Sequence, residues 1–234
     1  GRSGQGAYND TMMGHDETVG KLLDKLDELG VSDNTIVLYT TDNGPHVNTW
    51  PDAAITPYRS EKNSNWEGAF RVPCYVRWPG KIKAGRVSND IMAHEDWVPT
   101  LLAAAGDPNV TQKLLSGMKV GSKTYKSHID GHNFLPYLTG QEEKGPRNDF
   151  FYISDDAELM ALRVGDWKII YFYNPKRWEL YNLKNDLSEK NNLAAKQPER
   201  LKALAKQLVR DLKSMDVQWP VDRKTKQDDP PAMP

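Results

Sequence analysis

The sequence is poorest in cysteine, in long apolar runs and in any surplus of charge. One cysteine, Cys74, among 234 residues excludes an intrachain disulfide framework and a cysteine-rich zinc cluster. No apolar stretch approaches the roughly 18 residues that a membrane-spanning helix requires, so no membrane span is expected. Basic residues number 31 and acidic residues 32, for a formal net charge of −1. That balance argues against a nucleic-acid binder, because phosphate recognition relies on a Lys/Arg excess on one face. Hydrophobic residues at 38% and a mean hydropathy of −0.71 describe a globular composition on the polar side. The chain opens at Gly1 with neither an initiator Met nor a charged-then-apolar leader, and its first residues read as the middle of a longer sequence. Neither compartment nor oligomeric state is legible from the residues.

What is present falls into two styles. After a small-residue opening, Met12, Met13, Val19, Leu22, Leu23, Leu26 and Leu29 recur at spacings near 3 and 4 and stop at Gly30. This predicts an amphipathic helix with a glycine at its C-terminal end, and Glu17 and Lys21 are spaced to pair on its polar side. The run 35–41 is apolar and β-branched without alternation, which predicts a strand buried on both faces in a mainly parallel sheet. Residues 42–68 lose periodicity and fill with Asn, Asp, Pro, Thr and Gly; inside a compact domain, such a stretch is more often a functional loop than a connector. A second strand is expected over 72–78, with Cys74 as a buried core thiol. A short strand at 90–93 then feeds a helix through Trp97, Leu101, Leu102 and Ala105, with Pro99 near its start. Between 107 and 146 only a helical turn at 134–138 is expected.

From residue 148 the pattern changes. Four aromatic and β-branched runs, about 150–154, 159–164, 168–173 and 178–181, are separated by Asp-Asp, Gly-Asp and Asn-Pro turn signals. They predict a small antiparallel sheet. Pro198 then opens a helix whose Leu201, Leu204, Leu208, Leu212 and Met215 follow at spacings of 3, 4, 4 and 3, a stripe suited to covering one face of that sheet. Residues 217–234 read as a polar, Pro-rich tail that frays.

The most informative cluster is Thr41-Asp42-Asn43-Gly44-Pro45-His46, directly after the expected strand. Open α/β sheets bind ligands at the carboxyl ends of their strands. A carboxylate followed by an amide oxygen supplies two hard donors of the kind that Ca²⁺ or Mg²⁺ accepts. Taken alone, Asp-Asn-Gly reads first as an ordinary Asx turn ending a strand, and two donors do not complete a shell of about six. Lys62, 20 residues beyond Asp42, is placed either to neutralise an anionic oxygen beside a cation or to stand as a solvated surface lysine. His46 has the chemistry of a proton donor or substrate hydrogen-bond partner, and also that of a turn cap. Arg71 is four residues from Glu67 and is spaced to pair with it as loop scaffolding.

Taken in order, His15-Asp16-Glu17 through Asp24, Asp33-Asn34-Thr35-Ile36-Val37, Thr41-Asp42-Asn43-Gly44-Pro45, Lys62 with Trp66-Glu67-Gly68, Arg71-Val72-Pro73, Trp78-Pro79-Gly80, His94-Glu95-Asp96-Trp97, Trp167-Lys168 and Glu179-Leu180-Tyr181-Asn182-Leu183 resemble the arylsulfatase-type sulfatases. Ala69 stands where that family commonly carries a second glycine. The resemblance implies part of an alkaline-phosphatase-like α/β core with a mainly parallel sheet, plus a C-terminal antiparallel sheet packed by a helix. It divides the chain into 1–146, the C-terminal part of the catalytic domain; 147–216, a smaller subdomain; and 217–234, a tail. It implies hydrolysis of a small-molecule or glycan sulfate ester. Asp42 and Asn43 would ligate Ca²⁺ or alternatively Mg²⁺, and Lys62 would contact the sulfate as a catalytic and substrate-binding group; His46, from its place after the strand and its own chemistry, is the further candidate to bind substrate.

The family nucleophile, a formylglycine made within Cys/Ser-x-Pro-x-Arg, has no counterpart here: Cys74 is followed by Tyr75-Val76-Arg77, and no serine satisfies the pattern. The nucleophile is therefore expected outside these residues, the isolated chain is expected to be inactive, and family likeness favours a periplasmic or secreted setting. A phosphonate or phosphodiester hydrolase of the same superfamily, or a non-catalytic sulfate- or glycan-binding remnant, remains as an alternative at this point.

Overall fold

The computed structural model describes residues 1–53, 55–153, 159–215 and 224–234. Its elements in chain order are α1 (Ala7–Glu28), β1 (Val37–Thr40), α2 (Glu67–Phe70), β2 (Cys74–Arg77), α3 (Trp97–Ala104), α4 (Val110–Ser116), β3 (Met118–Val120), β4 (Lys123–Tyr125), α5 (Leu135–Leu138), β5 (Asp149–Ile153), β6 (Leu159–Val164), β7 (Trp167–Phe172), β8 (Arg177–Asn182) and α6 (Pro198–Ser214). Among the described residues, no helix is long and apolar enough to cross a membrane. The chain divides into two compact units. One comprises Gly1–Ser32, Leu38–Val76 and Phe151–Pro234; the other comprises Asp33–Val37 and Arg77–Phe150.

The core of the first unit is the sheet β5-β6-β7-β8 under α6. Strands β6, β7 and β8 pair antiparallel, with Leu162 opposite Ile169 and Ile169 opposite Leu180. Successive side chains of a strand face opposite sides, so Met160, Leu162, Ile169, Tyr171, Trp178 and Leu180 gather on one face. There they meet Leu201, Ala205, Leu208 and Leu212 of α6. Truncating one such fully buried leucine costs roughly 2–5 kcal/mol. Gly165, at φ +56°, turns β6 into β7, a backbone that glycine adopts without strain. Pro198 starts α6, where its missing N–H breaks no helical bond. The opposite sheet face carries polar residues, Arg163, Lys168, Glu179 and Tyr181. Ser154, the Asp155-Asp156 turn and residues 217–223 of the expected tail lie outside the described residues.

Helix α1 ends as its sequence requires: Gly30 is left-handed at φ +67°, and the Gly30 and Val31 amides donate to the Asp27 and Leu26 carbonyls. Glu17 pairs with Arg2 and not with Lys21. Strands β1 and β2 form a two-stranded sheet. The expectation of burial on both faces fails for β1, where all four residues are half-buried. A strand with a single neighbour keeps part of each side chain in solvent. The buried-thiol reading of Cys74 fails for the same reason, since Cys74 begins β2 and is exposed.

In the second unit, the expected strand at 90–93 does not form. Asp96, fully buried, accepts from the Ala93 amide at 2.8 Å and the His132 amide at 2.7 Å, so the approach to α3 is a cap and not a ladder. Arg147 completes that carboxylate with two bonds of 2.9 and 2.7 Å, the fork geometry that makes an arginine–carboxylate pair strong. The stretch expected to be irregular also contains α4 and the β3–β4 hairpin, which turns at Gly121, φ +61°.

Candidate active site

Asp42, Asn43, His46 and Lys62 stand on two loop segments, and a third, 66–69, lies against them. Gly44 is buried and donates its amide to the Ala69 carbonyl at 2.8 Å. A Cβ on Gly44 would lie 1.8 Å from the Gly68 carbonyl oxygen, and one on Gly68 would lie 2.2 Å from the Ser60 carbonyl oxygen. Only two glycines allow these backbones to approach so closely. The Gly68 amide donates to the Arg59 carbonyl at 2.8 Å, and the Lys62 amide donates to the Pro45 carbonyl at 3.0 Å. Glu61 accepts from the Val47 amide. Ser60 and Asn63 are left-handed, at φ +63° and +67°, which bends the loop on both sides of Lys62.

The backbone ladder thus brings the lysine segment beside the Asp-Asn-Gly-Pro turn. Asp42 and Lys62 are exposed, Asn43 and His46 half-buried. The Asn43 side-chain nitrogen donates to the Gly44 carbonyl at 2.8 Å, which leaves its amide oxygen as the remaining donor atom for a cation. His46 Nδ1 lies 3.1 Å from Thr49 Oγ1, so the ring is held through that nitrogen. Among the described residues, no three His, Cys, Asp or Glu side chains group to hold a metal. Asp42 and Asn43 therefore fit a hard divalent cation in kind but supply only part of its shell.

Behind the loop lies a buried charge network that the sequence reading found only at its edge. Glu67, fully buried, receives Arg71 Nε at 2.6 Å, the Tyr152 hydroxyl at 2.6 Å and Lys168 Nζ at 2.9 Å. Arg163 stands 3.6 Å away. Lys168 also lies 2.9 Å from Glu189 Oε1. Burial alone would raise the Glu67 carboxyl, but the Lys168 charge, the Tyr152 hydroxyl and Arg71 together hold it down to about 2. Burial pushes Glu189 the other way, up from the ordinary carboxylate range, against the pull of Lys168. The Tyr152 hydroxyl is driven well above its usual value by burial and by the Glu67 charge. Arg59 stacks 3.5 Å over the Trp66 ring, and Trp66 meets Tyr181 edge-on at 5.7 Å.

The Glu67–Arg71 pair was legible from its spacing, and it forms. Lys168 and Glu189 do not stand out in the sequence as partners of that pair. The available signal was a lysine at an inward position of an otherwise apolar strand, Trp-Lys-Ile-Ile, since a buried lysine demands a carboxylate.

Two known families match this chain. The family described as "N-sulphoglucosamine sulphohydrolase, C-terminal" matches residues 60–218, more than half of the chain, and the family described as "Sulfatase" matches residues 4–107. The chain belongs to the sulfatase family. It is 35% identical over 182 residues to the steryl-sulfatase of Mus musculus, covering 74% of this chain and 27% of that protein. To the N-acetylgalactosamine-6-O-sulfatase of Bacteroides thetaiotaomicron it is 31% identical over 227 residues, covering 89% of this chain and 42% of that one. A solved structure described under the metabolism of multiple glycosaminoglycans by Bacteroides thetaiotaomicron superposes with a TM-score of 0.70 at 27% identity, over 92% of this chain and 45% of its own. The chain therefore spans between about a quarter and just under half of these sulfatases. Its fold is the alkaline-phosphatase-like α/β fold with the C-terminal four-stranded sheet and helix that the sulfatase resemblance implied.

Proposed function

We propose that this chain supplies part of the active centre of a sulfuric ester hydrolase whose whole protein cleaves sulfate esters to an alcohol or phenol and sulfate. The observation that carries the reading is the Lys62–Pro45 backbone bond of 3.0 Å, which ties a lysine-bearing loop to a turn bearing a carboxylate and an amide oxygen. In this reading, Asp42 and Asn43 are the residues that hold a divalent cation, Ca²⁺ or Mg²⁺. Bound there, the cation offers Lewis-acid charge to a sulfate oxygen. Lys62, exposed between the left-handed Ser60 and Asn63, binds and orients the sulfate group and stabilises charge on its outer oxygens as the ester bond breaks. His46 adds a hydrogen bond to substrate.

The chain holds no Cys/Ser-x-Pro-x-Arg motif, so the formylglycine nucleophile of this reading comes from residues other than these. The substrate of this reading is a small-molecule or glycan sulfate ester, since its relatives include a steryl-sulfatase and an N-acetylgalactosamine-6-O-sulfatase. The division into 1–146, 147–216 and a tail belongs to the same reading, with the second part bracing the loop of the first.

Replacing Asp42 by Ala in the full-length protein tests the cation assignment. Turnover of an aryl sulfate is expected to fall by at least about two orders of magnitude, the scale of losing one charge-stabilising group, without recovery on adding Ca²⁺. Wild-type turnover by D42A removes the assignment.

A further inference from the structure

Residues 59–68 close a loop whose two ends meet at one residue far along the chain. At one end, Arg59 Nη1 donates to the Glu189 carbonyl oxygen at 2.7 Å. At the other, the Glu67 amide donates to Glu189 Oε2 at 2.8 Å. Glu189 is fully buried and left-handed, at φ +50°, a backbone that non-glycine residues rarely hold and that marks over-determined sites. The turn preceding it is itself fixed, because the Glu189 amide donates to the Asp186 carbonyl at 3.1 Å. Lys168 secures its other carboxylate oxygen at 2.9 Å. A carboxylate that merely balanced Lys168 would need neither the left-handed backbone nor the bond from Arg59 to its carbonyl. Between the two held ends, the Gly68 amide meets the Arg59 carbonyl at 2.8 Å, and at the tip the Lys62 amide meets Pro45 at 3.0 Å.

We propose that Glu189 is a positioning residue for Lys62. By gripping both ends of the loop with its main chain and its side chain, it fixes where the Lys62 backbone stands against Pro45, and so where the lysine side chain starts from beside the Asp42-Asn43 turn. The role rests on the reading of Lys62 as the sulfate-binding group. Through Lys168, the grip extends to β7, so the C-terminal sheet braces the loop.

Two measurements separate this role from the reading beneath it. In hydrogen exchange on the 234-residue chain, E189A is expected to speed exchange of the Lys62, Gly68 and Gly44 amides at least about tenfold while β6 and β7 stay protected. E189Q, which keeps an acceptor for the Glu67 amide, loosens the same amides less. In the full-length protein, E189A lowers kcat/KM for 4-nitrophenyl sulfate roughly 10- to 100-fold, and E189A combined with K62A is no slower than K62A alone. Unchanged exchange at the three amides, or loss of protection across β6 and β7 in both variants, overturns the role. Multiplicative effects of E189A and K62A also overturn it. Full activity of K62A removes its premise, and is distinguished by exchange that still loosens in E189A.

Discussion

Replacing Lys168 by Met probes the buried network at its centre. Lys168 Nζ stands 2.9 Å from Glu67 Oε1 and 2.9 Å from Glu189 Oε1, and all three side chains are fully buried. At that distance each pair is worth about 6 kcal/mol in an effective dielectric near 20, from which desolvation of the ions takes back several. Methionine fills the volume of the stem but strands two carboxylates. Glu67 keeps Arg71 and Tyr152, so Glu189 bears most of the loss. Breaking a buried pair from one side costs about 3–5 kcal/mol. With a urea slope of about 2 kcal/mol/M, the midpoint should drop by roughly 1.5–2.5 M.

The pH dependence carries a sign. Burial already raises the Glu189 carboxyl, and without Lys168 its folded-state value rises further. A group raised on folding favours the folded state below its unfolded value, near 4.5, and that benefit is lost as pH climbs through the folded value. The K168M deficit should therefore be larger at pH 7 than at pH 5. Urea titrations at both pH values, followed by tryptophan fluorescence, read it directly. A midpoint shift below about 0.5 M at pH 7, or a larger deficit at pH 5, would refute the reasoning.

The glycine contacts give sharper outcomes. Gly44→Ala places a methyl 1.8 Å from the Gly68 carbonyl oxygen, and Gly68→Ala places one 2.2 Å from that of Ser60. Backbone must move in both, at a cost at or above the upper end of the ~1–3 kcal/mol of ordinary overpacking, seen as a lower Tm and faster exchange at the Lys62 amide. Gly20→Ala, within α1 and with nothing inside 4 Å of the new methyl, should instead leave stability unchanged or raise it by about 0.4–1 kcal/mol. Equal Tm values for the three variants would contradict the close-approach account.

The C-terminal sheet was the most legible part of the fold. Its runs are rich in aromatic and β-branched residues and are broken by Gly-Asp and Asn-Pro turn signals, and β6, β7 and β8 appear within a residue or two of their expected bounds. The α6 stripe was equally plain, with Leu201, Leu208 and Leu212 buried as the spacing required and Met215 left at the exposed end. What failed was burial that depends on a neighbour. A run such as Val-Leu-Tyr-Thr reads as a central strand, but the number of strands beside it is a tertiary fact, and so is the exposure of Cys74. Asp96 defeated the strand expected at 90–93 because one side chain offered the Ala93 amide a better partner than a ladder. At the candidate site, Asp42, Asn43 and Lys62 stand out in the sequence by residue type. That Lys62 stands beside Pro45 was not legible, because it depends on backbone bonds and on two glycines whose need appears only when the segments meet. Glu189 was hidden for the same reason: its partners Arg59, Glu67 and Lys168 are between 21 and 130 residues away.

The most direct test is a matched pair of substrates with the full-length protein, 4-nitrophenyl sulfate and bis(4-nitrophenyl) phosphate, each measured for wild type and K62A. The account predicts a higher kcat/KM for the sulfate ester in the wild type and a loss of about 10²–10³-fold on that substrate in K62A. Preference for the diester, or wild-type sulfate turnover in K62A, would contradict it.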